Sequence, residues 1–190
     1  SIRVLIHRGA IQDALKLNAE GSTKFPESHA LFFAGMQLAE LTGDVNLENK
    51  TFTNVKRFFG KNGRNGTAKQ KYYLARCATQ RSAKMSYKLF QRAYKDNKQF
   101  TDAYIWAGFH CADKYAWRFA TGEFTNALKV NPNHPMAHAG MAYVLIEQNQ
   151  YPKARKFLET ALKINPACSK AIQLQSVILL IDDKKEEALT

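Results

Sequence analysis

The most concentrated chemistry in the sequence is a basic, glycine-rich stretch, KRFFGKNGRNGTAKQKYY, at residues 56–73. Six of its residues are Lys or Arg, none is Asp or Glu, and three are glycines. Such a stretch can hold a phosphate, because glycine lets backbone N–H groups approach the oxygens. No Gly-Lys-Ser/Thr sequence follows at the spacing of a nucleotide-binding loop. A phosphate cradle and a flexible connector between helices are both open, and the glycine spacing favours the connector.

The positive charge of the whole chain is concentrated around this stretch. The formal net charge is +12, and the segment from Lys50 to Lys95 holds 13 Lys and Arg residues and no acid. The rest of the chain contains the other 15 of the 28 basic residues and all 16 acidic residues, so it is close to neutral. The excess predicts either a solvated face or a surface for an anionic partner, which could be nucleic acid or an acidic protein.

Histidine and cysteine offer little chemistry. His134 and His138 are four residues apart, which puts them on one side of a helix. A metal site would need a third ligand, and no HExxH sequence is present, so we predict no metal and no cofactor. The three cysteines form no CxxC pair, and Cys77 and Cys111, one repeat apart, are predicted to be buried thiols. This mildly favours a reducing, cytoplasmic compartment.

No set of residues has the spacing of a catalytic site. Neither a Ser/His/Asp constellation nor a pair of carboxylates stands out along the 190 residues. No apolar run approaches the length of about 20 residues that a membrane span needs. The sequence therefore predicts a protein that is not an enzyme, with no catalytic residues and no membrane span.

A repeat of 34 residues organises the chain. NALKVNP at residues 126–132 recurs as TALKINP at residues 160–166. The same step joins five sets of positions: Ser86, Ala120, Ala154 and Ala188; Phe90, Phe124 and Leu158; Ala93, Ala127 and Ala161; Leu74, Gly108, Ala142 and Ser176; Cys77, Cys111, Leu145 and Leu179. Self-similarity at one fixed period is typical of repeat architectures.

This pattern of a small residue, then Phe or Leu, then Ala, then Asn-Pro resembles the tetratricopeptide repeat. The resemblance implies an all-α fold, a right-handed superhelical solenoid of antiparallel helix pairs with about five to six repeats. A small residue in the second helix lets its partner approach, and Pro132 and Pro166 end that helix. The sequence departs from the family pattern in two respects. His138 and Ile172 occupy the position early in the first helix where an aromatic residue is expected, and Lys98 occupies the position at the end of a unit where proline is expected.

The whole chain, 1–190, is predicted to be a single helical array. Its expected units are 1–28 (partial), 29–66, 67–100, 101–134, 135–168 and 169–190 (partial). The unit 29–66 is longer than the others, and its extra residues fall in an insertion at 60–66, so the glycine stretch is interpreted as an enlarged loop between repeats. Neither end shows a polar capping face, which favours a fragment of a longer array.

The resemblance also implies that first helices line a concave groove. The predicted partner-binding residues on these helices are Phe33, Gln37, Lys71, Tyr72, Ile105, Trp106, Phe109 and Tyr143. Family members that hold acidic chaperone C-termini use a Lys/Asn and Lys/Arg clamp, but Ala75, Asp102 and Trp106 replace three of its members here. What is left is an aromatic trough, which suits an amphipathic helix or an extended apolar peptide.

A second surface is predicted for an anionic partner. Its residues are Arg57, Lys61, Arg64, Lys84, Lys88, Arg92 and Lys95. The last four are spaced 4, 4 and 3 apart, so they form one stripe along a second helix. Second helices form the convex face in the family, so this stripe should lie outside the groove.

The function predicted from these patterns is a non-catalytic protein-protein interaction scaffold that binds a peptide or helix of a partner within a multiprotein assembly. One alternative is a helical-repeat module that binds nucleic acid or an acidic surface through residues 50–95. Another is the repeat region of a larger enzyme whose catalytic domain lies outside this chain. Phosphate binding would weaken steeply with salt, whereas apolar peptide binding would not.

Overall fold

The computed structural model of the protein describes residues 1–60, 66–79 and 82–182. All regular secondary structure in these ranges is α-helical. The helices are α1 (Ile2–His7), α2 (Ile11–Lys24), α3 (His29–Thr42), α4 (Val45–Gly60), α5 (Ala68–Ala78), α6 (Ala83–Asp96), α7 (Thr101–Ala112), α8 (Trp117–Val130), α9 (Pro135–Glu147), α10 (Tyr151–Ile164) and α11 (Ser169–Ile181). None of these helices combines the length and the apolar character that a bilayer crossing requires.

The helices fall into two compact units, an N-terminal unit (Ser1–Asp96) and a C-terminal unit (Asn97–Thr190). The N-terminal unit contains α1 to α6, and the C-terminal unit contains α7 to α11. Within each unit, helices that follow one another in sequence pack as pairs, most extensively α5 with α6, α7 with α8, and α9 with α10. The predicted all-α fold of helix pairs is confirmed.

The 34-residue pattern is also the pattern of burial. Three of the sets are buried at every described position: Ser86, Ala120 and Ala154; Phe90, Phe124 and Leu158; Ala93, Ala127 and Ala161. The small residue lets the two helices of a pair come close together. At Ser86 the approach is close enough for its hydroxyl to donate a hydrogen bond of 2.9 Å to the backbone carbonyl of Ala75 on α5.

The ring of Phe124 on α8 packs against two first helices of the C-terminal unit. A Cβ added to Gly108 on α7 would lie 2.7 Å from Cε1 of Phe124, and a Cβ added to Gly140 on α9 would lie 2.2 Å from the same atom. Both distances are far below van der Waals contact. Glycine at both positions therefore makes room for a ring that holds three helices together.

Asparagine shapes the turns that precede α7, α9 and α11. The side-chain oxygens of Asn97, Asn131 and Asn165 each accept a hydrogen bond of 3.0–3.1 Å from the backbone N–H two residues further on. The second helices α8 and α10 end two residues before Pro132 and Pro166, as the sequence predicts. Asn97 makes the same turn without a following proline, so the asparagine is the feature that the three turns share.

A left-handed residue lies in the turn within several helix pairs. Gly9 and Gly43, 34 residues apart, have φ of 73° and 69°, and Tyr115 and Asn149, also 34 apart, have φ of 57° and 58°. This conformation reverses the chain after a helix, and glycine adopts it without the steric cost that other residues meet. Tyrosine is an unusual occupant of such a position.

Candidate functional site

Two of the predicted groove residues in the N-terminal unit contribute open surface. Phe33 and Gln37 on α3 are half-buried, whereas Lys71 and Tyr72 on α5 are only 5% and 8% exposed. Lys71 was expected on the outward stripe as a basic contact, and the structure places it differently. Its ammonium group pairs with the carboxylate of Asp96 at the end of α6.

Lys71 is buried because it lies on the side of α5 that packs inward. The buried residues of this helix include Lys71, Leu74, Ala75 and Ala78, which lie at the spacing of successive helical turns. Lys71 therefore lies at the first position of the face that packs inward. A lysine can occupy this position because Asp96 neutralises its charge.

An arginine-aromatic cluster joins α3 and α5 in the N-terminal unit. The guanidinium carbon of Arg76 lies 4.7 Å from the centroid of the Phe33 ring, and its Nη1 donates a hydrogen bond of 3.1 Å to the Tyr72 hydroxyl. The ring of Tyr73 lies 5.4 Å from Phe33 and 5.0 Å from His29. Burial, and next the charge of Lys69, lower the pKa of His29, which favours its neutral form at pH 7.

The groove residues of the C-terminal unit also divide into two kinds. Ile105 on α7 is 1% exposed and belongs to the core, because it lies on the face of α7 that packs inward. Phe109 is 8% exposed and its ring lies 5.0 Å from that of Phe124. Trp106 on α7 and Tyr143 on α9 are half-buried and present part of each ring to solvent.

Lys170 on α11 lies over two of these rings. Its Nζ is 4.9 Å from the centroid of Tyr143 and 6.0 Å from that of Phe109, within the range of cation–π attraction. The same Nζ donates a hydrogen bond of 3.2 Å to Gln173 on its own helix. The sequence reasoning missed Lys170, because it belongs to a different helix from either aromatic residue.

Two further rings extend the surface towards the α7–α8 turn. The ring of Trp117, at the start of α8, lies 6.2 Å from Tyr143 at an angle of 88°, and Tyr115 lies 5.6 Å from Trp117 at 84°. Tyr115 is 77% exposed. We call Trp106, Phe109, Lys170, Tyr143, Trp117 and Tyr115 the aromatic strip. All six residues belong to the C-terminal unit.

The hydroxyl of Tyr143 is a polar group within this strip. Burial raises the pKa of Tyr143, and the charges of Glu147 and Asp113 and the neighbouring Tyr115 raise it further. The phenol therefore stays protonated throughout the physiological range and can donate a hydrogen bond. Large rings with a few polar groups at their edges are the usual composition of a protein-binding surface.

The basic residues of the predicted anionic surface are exposed where they are described. Arg57 lies on α4, and the stripe on α6 consists of Lys84, Lys88, Arg92 and Lys95, each exposed to solvent. Lys61 and Arg64 lie outside the described residues, and so does most of the predicted insertion at 60–66.

The histidine pair makes local contacts at the start of α9. Nε2 of His138 lies 2.8 Å from the backbone carbonyl of Pro132, and the His138 ring lies 5.9 Å from Phe157 on α10. Nε2 of His134 lies 3.8 Å from the carboxylate of Asp102. Within residues 1–60, 66–79 and 82–182, no three His, Cys, Asp or Glu residues come together as metal ligands. The predicted burial of the thiols Cys77 and Cys111 is confirmed, and Cys168 is buried as well.

Comparisons with known proteins agree with this architecture. Residues 120–178 match the tetratricopeptide repeat family. A comparison with curated proteins found no match. The fold resembles that of TTC0263, a thermophilic TPR protein in Thermus thermophilus, with a TM-score of 0.74, 15% sequence identity, and coverage of 94% of this chain and 95% of that one.

Two other solved structures share the fold. Pseudomonas aeruginosa pilF matches with a TM-score of 0.62 and 15% identity over 99% of this chain and 85% of that one. YrrB, described as a TPR protein with an unusual peptide-binding site, matches with a TM-score of 0.59 and 15% identity over 92% of this chain and 88% of that one. Residues 120–178 therefore belong to the tetratricopeptide repeat family, and the chain as a whole has the fold of that family.

Proposed function

We propose that the protein is a non-catalytic scaffold that docks a peptide or helix of a partner protein, and that the aromatic strip is its docking surface. The tetratricopeptide fold supports a role in protein interaction. The similarity to YrrB, described as having a peptide-binding site, adds support at the level of fold. The observation that carries the proposal is that the residues of the strip contact one another in series. Trp106 lies 5.7 Å from Phe109, Lys170 lies over both Phe109 and Tyr143, and Trp117 contacts both Tyr143 and Tyr115.

The strip is held in place before any partner arrives. Phe109 packs on Phe124, which is itself fixed against Gly108 and Gly140. Tyr143 contacts both the ring of Trp117 and the ammonium group of Lys170. Rings that are already fixed lose little conformational entropy on binding, so more of the contact energy appears as affinity.

The composition of the strip indicates the kind of ligand. Trp106, Tyr143 and Tyr115 offer partly exposed ring area, which suits apolar side chains at alternate positions of an extended peptide or along one face of a helix. The Lys170 ammonium and the Tyr143 hydroxyl supply hydrogen-bond donors, which suit carbonyl or carboxylate oxygens of the ligand. Aromatic residues of this kind commonly contribute most of the binding energy at protein interfaces.

The test is selection of binders from a displayed library of random peptides against the full chain, followed by titration of the enriched peptides. We expect Trp106→Ala and Tyr143→Ala to weaken binding by about tenfold or more each. Phe25→Ala is the matched control, because Phe25 is an exposed ring, 65% accessible, that lies outside the strip. Helicity of all three variants is checked by circular dichroism.

Two outcomes would contradict the proposal. One is a library that yields no peptide above background. The other is an enriched peptide whose affinity changes no more with Trp106→Ala and Tyr143→Ala than with Phe25→Ala, which would place the ligand elsewhere on the molecule.

A further inference from the structure

Helix α6 carries four exposed cations on one side, which we call the basic stripe. They are Lys84, Lys88, Arg92 and Lys95. The first and last are eleven residues apart, so the stripe is about 16 Å long. The aromatic strip uses none of these residues.

The charges of the basic stripe are uncompensated within the described part of the chain. None of the four side chains forms an ion pair there. The single acid of α6 is Asp96, and its carboxylate pairs with the buried Lys71. Like charges one helical turn apart repel each other, so the stripe weakens the helix that carries it. The four cations therefore contribute nothing to the stability of α6 through pairing within the described part of the chain.

The stripe is presented on a rigid support. The opposite side of α6 is buried through Ser86, Leu89, Phe90 and Ala93. The hydrogen bond from Ser86 to Ala75 further fixes α6 on α5. Because the helix cannot rotate without breaking this packing, the spacing of the four Cα atoms is set before a partner binds.

We propose that the basic stripe docks an acidic helix of a partner protein, with Asp or Glu residues repeated at intervals of three and four. Such a helix has the same rise per residue as α6, so its carboxylates can meet the cations one for one. Single-stranded nucleic acid is the other anionic candidate. Proteins that bind it without sequence preference supply aromatic side chains on which bases stack. On α6, Phe90 is buried, and Tyr87 and Tyr94 are half-buried and lie about a quarter turn around the helix from the stripe. The four cations therefore share their side of α6 with no aromatic residue of that helix.

The test uses the full chain and three fluorescent probes at low ionic strength. The first is a helical peptide with four Glu residues spaced 4, 4 and 3 on an alanine and glutamine background. The second has the same composition with the four Glu residues distributed around the helix. The third is an oligouridylate of comparable length. The variant is Lys84→Gln with Lys88→Gln and Arg92→Gln, and each single change is also measured.

The matched control is Lys129→Gln with Lys156→Gln and Lys163→Gln, which removes the same charge from helical positions of α8 and α10 outside the stripe. We expect the in-register peptide to bind more tightly than its scrambled isomer and than the oligouridylate. The stripe variant should weaken binding about tenfold and the control less than about twofold, since each exposed pair contributes little alone. Binding should weaken as salt is raised.

Equal affinity for the two peptides would overturn the proposal, because it would show that only net charge matters. Tighter binding of the oligouridylate would overturn it in favour of a nucleic-acid surface. Absence of binding, or equal effects of the stripe variant and the control variant, would show that the stripe is a solvated face. None of these results would bear on the aromatic strip, since its library test uses different residues.

Discussion

The ring of Phe124 lies directly against the backbone of Gly140, so that a Cβ at position 140 would be 2.2 Å from the ring carbon Cε1. We predict that Gly140→Ala lowers the free energy of unfolding by about 1–3 kcal/mol, because the ring is already confined by Gly108 and cannot move aside. The measurement is denaturant unfolding followed by circular dichroism.

Gly122 on the exposed side of α8 provides the control for this prediction. It is helical and has no atom within 4 Å of the site where a Cβ would be added. Gly122→Ala should therefore raise the free energy of unfolding by about 0.5–1 kcal/mol, because alanine restricts the unfolded chain. If the Gly140→Ala and Gly122→Ala variants were equally stable, the packing of Phe124 would not be as described.

The left-handed conformation of Tyr115 should cost stability. Tyr115→Gly is expected to raise the free energy of unfolding by about 1 kcal/mol, since glycine adopts φ of 57° without strain. Tyr115→Ala should bring no such gain, because alanine meets the same strain. Asn149→Gly should gain less than Tyr115→Gly, because asparagine tolerates this conformation better. Thermal unfolding of the three variants gives the comparison, and a gain as large for Tyr115→Ala would argue against backbone strain.

Removing the charge of Asp96 should lower the free energy of unfolding more than replacing Lys71 with an apolar residue of similar volume. Asp96→Asn leaves a buried ammonium without its counter-charge and should destabilise by about 1–3 kcal/mol, towards the lower end because the Asp96 side chain is 40% exposed to screening solvent. Lys71→Met removes the charge and keeps the volume, so its effect should stay within about 1 kcal/mol. Urea unfolding of both variants distinguishes them, and the reverse order would mean that Lys71 reaches solvent readily.

The thiol of Cys77 should be inert in the folded protein. Burial raises the pKa of Cys77 to about 12, against a smaller lowering by Arg76. The thiolate is the reactive form, so at pH 8 alkylation of Cys77 should be slower in the folded than in the unfolded chain by about a thousandfold. Peptide mapping after timed iodoacetamide treatment measures this rate. Rapid native labelling at Cys77 would mean that the pair of α5 and α6 opens often.

The helix pairs could be predicted from the sequence because the positions that pack are the positions that repeat. Ala120 and Ala154 fill equivalent interfaces 34 residues apart, as do Phe124 and Leu158. Pro132 marks a helix end by a local steric rule. Lys71 and Ile105 show where this reasoning fails. Neighbouring residues differ in direction by about 100° around a helix. A small error in predicting which side faces inward therefore assigns a core residue to the surface.

The aromatic strip was only partly predictable for a related reason. Trp106, Phe109 and Tyr143 were found because they lie on first helices. Lys170 and Trp117 were missed because their contacts depend on how other helices pack, and no spacing within one helix reports that. Tyr115 could have been found through its 34-residue relation to Asn149, but tyrosine is not a residue that indicates a left-handed turn.

The left-handed positions have a consequence for how such a chain diverges. Nearly the same φ is adopted by three different residue types, at Gly9, Gly43, Tyr115 and Asn149. The two packed helices on either side impose the turn, and the residue in it follows. A mutation there changes what is displayed on the surface at a cost of about 1 kcal/mol, without altering the helices. These turns are therefore positions at which successive repeats can differ in their exposed surface while their architecture is retained.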